Sequence, residues 1–127
     1  MQVQEGKGWR LLVDPARCPF VVLVGGEGWA VELSRAEALA LATGVSRLVT
    51  QHQSLADQLM AEEAIGLDWE QGDLWVALEG DRQLWSLRFV LSPATGQRAV
   101  EGAWGPPASA ALAAALETLW SFLAESS

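Results

Sequence analysis

The stretch Gly28-Trp29-Ala30-Val31-Glu32-Leu33-Ser34-Arg35-Ala36-Glu37 decides the fold class, because its period changes part-way along. Trp29, Val31 and Leu33 alternate with Ala30 and Glu32, the two-residue repeat of a strand with one apolar face. Ser34 and Glu37 then stand at capping-box spacing, where the hydroxyl satisfies the amide three residues on and the carboxylate reaches back. A strand therefore closes and a helix opens. Trp29 and Ser34 recur 75 positions later as Trp104 and Ser109, at the same kind of junction. The chain reads as two copies of one strands-then-helix unit.

Upstream, Gly8 to Val13 and Phe20 to Gly25 have the character of short strands joined through Pro15 and Pro19, a hairpin. Gly25-Gly26-Glu27-Gly28 is a turn into the Trp29 strand. It is not a phosphate cradle, since those lead from a strand directly into a helix N-terminus. Downstream, Leu41, Val45, Leu48, His52, Leu55 and Leu59 recur at steps of four and three, one stripe along a helix expected to run to about Ile65 and to measure roughly 45 Å. Gly44 weakens that helix by about 1 kcal/mol relative to Ala, so the helix depends on packing. Glu62 and Glu63 fall near its end, where the macrodipole disfavours acids.

From Gly66 the period returns to two. Leu67 and Trp69 alternate with Asp68 and Glu70, and after the Gln71 to Asp73 turn Leu74, Val76 and Leu78 alternate with Trp75, Ala77 and Glu79. Leu84 to Leu91 and Arg98 to Trp104 complete the strands. Ser109 is expected to cap a last helix with the stripe Leu112, Leu116, Leu119, Trp120 and Leu123. Strands followed by a helix, twice, predict an α+β fold with antiparallel sheets packed on a long central helix and a C-terminal helix. The length predicts a single domain over 1–127, with pseudo-repeats at 8–65 and 66–127. At the 75-residue offset Leu41 meets Leu116, Val45 meets Trp120 and Leu48 meets Leu123.

Half of the residues are hydrophobic and 19% are charged, with a mean hydropathy of +0.17, which predicts a packed core. No apolar run reaches the roughly 18 residues that span a bilayer, and Met1 to Arg10 has no signal-peptide core. With one cysteine, Cys18, in a loop beside Arg17, the expected location is the cytoplasm. The net charge of -8 is spread over both halves. Neither half carries the basic surplus that a phosphate backbone requires.

Several motifs carry a family likeness: Gly8-Trp9-Arg10-Leu11, Val24-Gly25-Gly26, Trp29 to Ser34, Leu59-Met60-Ala61-Glu62-Glu63, Leu74-Trp75, Glu79-Gly80 and Glu101-Gly102-Ala103-Trp104. Together they resemble the cyanobacterial domain-of-unknown-function family 1818, over nearly the whole chain. That family is similar in fold to the Whirly-type single-stranded-DNA-binding transcriptional regulators. The resemblance implies two strands-plus-helix repeats with sheets packed around paired helices. It brings no catalytic residues, and the lysine- and glycine-containing DNA-contact motif of Whirly proteins has no counterpart here.

Among individual residues, Trp29, Trp85, Trp104 and Trp120 fall on apolar faces and are expected in the core, and Trp69 inward. Trp75 points away from Leu74, Val76 and Leu78, on the face shared with Glu79. Close to Arg88 or Arg10 it would form a surface able to hold a protein partner or stack a base, and Trp9 and Arg10 are further candidates. Glu70, Glu79 and Glu101 repel phosphates, which favours the protein partner. A continuous basic strip from Lys7, Arg10, Arg17, Arg88 and Arg98 would favour nucleic acid instead. His52, on the helix stripe, reads as a neutral hydrogen-bonded interior residue. One His and one Cys do not make a zinc shell, and Asp68, Glu70 and Asp73 read as solvated charge.

The expectation is a non-enzymatic module for protein interaction or self-association, without cofactor, metal or membrane. Single-stranded nucleic-acid binding is the alternative.

Overall fold

A computed structural model describes residues 1–60 and 63–125. Four strands come first: β1 (Gln2–Gly6), β2 (Trp9–Val13), β3 (Val22–Gly26) and β4 (Trp29–Leu33). The long helix α1 (Arg35–Ala56) follows, then β5 (Ile65–Gln71), β6 (Leu74–Gly80), β7 (Trp85–Leu91) and β8 (Val100–Trp104). Two short helices close the chain, α2 (Ala108–Leu116) and α3 (Leu119–Glu125). The strands form two antiparallel sheets in simple order, β1-β2-β3-β4 and β5-β6-β7-β8. This is the α+β fold that the alternation of periods predicts.

Each helix packs on the sheet that its own strands do not form. The α1 helix lies mainly across β6 and β5, while α2 and α3 lie on β2 and α2 also reaches β7 and β1. Leu41, Val45 and Leu48 of α1 and Leu112, Leu116 and Leu123 of α2 and α3 join Leu11, Val24, Val76 and Leu78 in one buried cluster. An aromatic junction ties the sheets together. Trp29 of β4 lies 5.0 Å from Trp104 and 6.3 Å from Phe89, measured between ring centroids. Its ring rests on the backbone at Gly102, where a Cβ would collide with it. Trp104 donates its indole N–H to the Gly25 carbonyl at 2.9 Å, joining β8 to β3.

The capping box forms as predicted. The Glu37 amide donates to Ser34 Oγ at 3.3 Å, and the Ser34 amide donates to Glu37 Oε1 at 2.8 Å. Arg98 also donates to Glu37, and to the Glu32 carbonyl, pinning the β7–β8 connection onto the β4–α1 junction. Burial pushes the Glu37 carboxyl up, but the Ser34 amide and the Arg98 guanidinium outweigh it and hold the group below its ordinary 4.5. A carboxylate lowered on folding stabilises the fold above its unfolded value and ceases to do so as the pH falls through the folded one. The stability gap between wild type and Glu37→Gln is therefore expected to hold constant above about pH 5.5 and to narrow below 4.5, as read from urea melts across that range.

Several expectations are corrected. The polar strand β1 precedes the predicted hairpin; its residues are mostly exposed on both faces, so no alternation betrays it. The long helix stops at Ala56 rather than near Ile65, which shortens it to roughly 33 Å. The turn is tightened by hydrogen bonds from the Asp57 and Gln58 amides to the Leu55 carbonyl. Glu63 thus lies beyond the helix and accepts from the Met60 amide, while Glu62 falls outside the described residues.

Ser109 is not a helix cap. It is buried one position inside α2, and its hydroxyl donates to the Trp85 carbonyl at 2.6 Å. The repeated Trp and Ser therefore occupy different places, since Trp29 opens β4 whereas Trp104 closes β8. Finally, Trp120 is 39% exposed, because α2 ends at Leu116 and α3 restarts the helical phase at Leu119. Trp104 alone among the predicted core tryptophans is fully buried; Trp29 and Trp85 are partly buried against the core.

Candidate functional site

The outer face of the β5–β8 sheet is built by strand alternation. With Leu74, Val76 and Leu78 buried, Trp75, Ala77 and Glu79 must face outward on β6. Pairing sets the rows. Glu70, Trp75, Val90 and Glu101 lie opposite one another in sequence across β5, β6, β7 and β8, and so do Asp68, Ala77, Arg88 and Ala103. Trp75 is the large apolar group at the centre of this surface, and it is partly exposed.

Its ring is fixed at two points. The indole N–H donates to Asp68 Oδ2 at 3.1 Å, diagonally across the β5–β6 pair. The Arg88 guanidinium lies 5.7 Å from the ring centroid, within cation–π range, and stays 3.9 Å from Glu101. Asp68, Glu70, Glu79 and Glu101 are all exposed around it. Four acids against one arginine make this face negative. A tryptophan held in one rotamer loses little conformational entropy on binding, which suits it to anchor a partner.

The predicted neighbourhood of Trp75 and Arg88 is thus present, with Glu79 in the adjoining row. Asp68, read from sequence as solvated charge, is the residue that orients the indole; the signal was the seven-residue β5–β6 register around the Gln71–Asp73 turn. Trp9 and Arg10 sit apart, on β2 of the other sheet. Trp9 is partly buried against the core, its ring over Gly6, so it offers no open platform, and Arg10 pairs with Glu5 at 3.1 Å.

Charge elsewhere is locally neutralised. Arg17 pairs with Glu32 at 3.0 Å and Arg98 with Glu37. Of the five residues of the anticipated basic strip, the four arginines each face a carboxylate, so no such strip forms. His52 is buried, and its Nε2 donates to the Asp81 carbonyl at 2.9 Å. Asp81 itself is turned to the Leu84 and Gln83 amides, which hold its carboxyl below its ordinary 3.8. Among the described residues no cluster of three or more His, Cys, Asp or Glu is placed to hold a metal ion, and no helix is long and apolar enough to cross a membrane.

Comparison with known proteins decides the family. The model of the domain of unknown function DUF1818 matches residues 4–119. The chain belongs to the DUF1818 family. A crystal structure of a protein with unknown function, from the DUF155 family of Prochlorococcus sp. NATL2A, is similar to it with a TM-score of 0.88 and 36% sequence identity. The match covers 94% of this chain and 99% of that one. The DUF1818 chain therefore shares its whole architecture with a cyanobacterial relative. No curated protein sequence matches it significantly.

Proposed function

We propose that this DUF1818 protein is a non-enzymatic interaction module that docks a protein partner on the outer face of the β5–β8 sheet. The observation that carries the reading is Trp75, partly exposed and held between Asp68 and Arg88 inside an acidic surround. Fixed aromatic anchors with a polar rim are the usual centres of protein interfaces. The acids favour a partner with basic or neutral contacts, and they repel phosphate at short range. The exposed free thiol of Cys18 is consistent with a reducing, cytoplasmic setting.

Cross-linking and affinity capture from native extract test this reading with wild type and Trp75→Ala side by side. A stoichiometric partner held by wild type and reduced at least tenfold by Trp75→Ala is the expected result. Its retention by the variant, or the absence of any enriched partner, refutes the assignment.

A second reading rests on the same pair of residues. An arginine beside a partly exposed indole is also a base-stacking arrangement, and the resemblance to Whirly-type regulators points the same way. Under it, mixed-sequence oligonucleotides quench tryptophan fluorescence at micromolar concentration, the quenching falls steeply with salt, and Trp75→Ala abolishes it. Because four carboxylates line that surface, the expected result is no salt-sensitive quenching.

A further inference from the structure

The second sheet ends on an uncovered strand. β5 is the longest of the four edge strands, seven residues against five for β1, β4 and β8. It pairs with β6 alone, without the bulge, proline or lysine that commonly blunts an edge. The two-residue turn Gly72–Asp73 makes Gln71 and Leu74 a hydrogen-bonded pair, so alternation turns the amides and carbonyls of Gly66, Asp68 and Glu70 to the open side. Among the described residues none of these groups has a hydrogen-bond partner. The other edges differ. Arg98 occupies the Glu32 carbonyl of β4, Trp29 lies on Gly102 of β8, and β1 has Gln2 and Gln4 where an apolar inner row would stand.

The inner face of β5 is only half covered. Leu67 and Trp69 stand opposite Leu78 and Val76, yet they and Ile65 stay partly exposed while those β6 neighbours are buried. Beside this row lies a groove of about 430 Å³, with Arg47, Thr50, Gln51 and Ser54 of α1 on one wall and Trp69 on the other. Charge divides across the strand. The sequence of α1 holds no acid between Glu37 and Asp57, and among the described residues Arg47 has no ion-pair partner. On the outer side of β5, Asp68 and Glu70 are exposed.

We propose that the β5 edge and the α1 groove bind an extended segment of a partner protein, which adds antiparallel to the sheet as a fifth strand. Free backbone groups supply the pairing and the adjoining helix the side-chain pockets, as in other cases of sheet augmentation by a peptide. The register specifies the segment. Residues opposite Gly66, Asp68 and Glu70 turn their side chains to the outer face, where basic residues meet the two acids. The alternate residues turn inward, and apolar ones there complete the cover over Leu67 and Trp69. A second copy of β5 does not fit, because full antiparallel overlap sets Asp68 directly against Asp68. The site needs no contact with the Trp75 ring.

Fluorescence anisotropy with a labelled, end-capped peptide of four Lys-Val repeats tests the proposal at about 150 mM salt, where exposed charges are screened beyond roughly 8 Å. Wild type is expected to bind it saturably. N-methylation of the lysine amides, which in this register face β5, is expected to weaken binding at least tenfold, while N-methylation of the valine amides, which face solvent, leaves it within about twofold. Gly66→Pro removes one edge donor at a position where a Cβ meets nothing within 4 Å, and it is expected to weaken binding about tenfold. Gly66→Ala and Trp75→Ala bind as wild type does. Circular dichroism melts check that Gly66→Pro folds, and the methylated peptides keep the test independent of it. Equal affinity for the two methylated peptides, or for a peptide of four lysines followed by four valines, overturns the proposal, since charge alone then accounts for binding. A wild type that does not bind the peptide, or a homodimer that Gly66→Pro disrupts, overturns it as well. Gly66→Pro reads this edge and Trp75→Ala the outer face, so the two assignments fail separately.

Discussion

Trp104→Ala is expected to be among the most destabilising single substitutions in this protein, costing roughly 4 kcal/mol. Three losses coincide at one position. The indole is 2% exposed, and its removal leaves a cavity against Phe89, whose ring it stacks on at 5.6 Å, and against Trp29. The Gly25 carbonyl loses its indole donor, which for a buried acceptor costs about 1–3 kcal/mol within that total. The junction between β8 and β3 goes with it. A fall in Tm on the order of 15 °C is the expected readout. Trp104→Phe deletes the donor but keeps a six-membered ring in the site, so a smaller loss of about 1–2 kcal/mol is expected from the hydrogen bond and the smaller cavity together. Equal effects from the two variants would show that the cavity is not what matters.

Gly44→Ala is expected to go against helix propensity. On an exposed helix this change stabilises by about 1 kcal/mol. Here a Cβ would stand 2.5 Å from Trp69 Cε3 and 3.1 Å from Val76 Cγ2, because α1 is drawn tightly onto β5 and β6 at that glycine. Val76 is fully buried and has no room to give. Overpacking of this kind costs about 1–3 kcal/mol and outweighs the propensity gain, so a net loss of roughly 1–2 kcal/mol is expected in denaturant melts. Trp69 is partly exposed and can be trimmed. Placing Gly44→Ala in a Trp69→Leu background should recover most of the loss, and strict additivity of the two changes would show that the ring is not the obstacle.

The Gly44 case also shows where sequence reading stops. The spacing of Ser34 and Glu37 is a local signal and the capping box formed, because both partners lie within one turn. Strand alternation was equally local, and it placed Trp75, Arg88 and Glu79 on one outer face correctly. Ser109 had the same local credentials as Ser34. Its hydroxyl went to the Trp85 carbonyl on another element, a competitor that no window around Ser109 contains. Trp120 was misread because continuing one helical phase through Leu116 to Leu123 ignores the break at the α2–α3 junction. Strand β1 could not be seen at all, since a short strand with polar residues on both faces has no period to detect. Gly44 read as a weak point in a helix and is instead the place where two layers touch.

The exchange of helices between the two sheets has a consequence for how the chain is made. During synthesis α1 leaves the ribosome before β5 and β6 exist, so the stripe of Leu41, Val45 and Leu48 has no surface to cover it. The first sheet waits longer still, until α2 and α3 arrive at the very end. Neither half is a self-sufficient folding intermediate, and the decisive contacts are those of large sequence separation, which are slow to form. A nascent chain that stalls near residue 60 therefore displays an amphipathic helix and an uncovered sheet together.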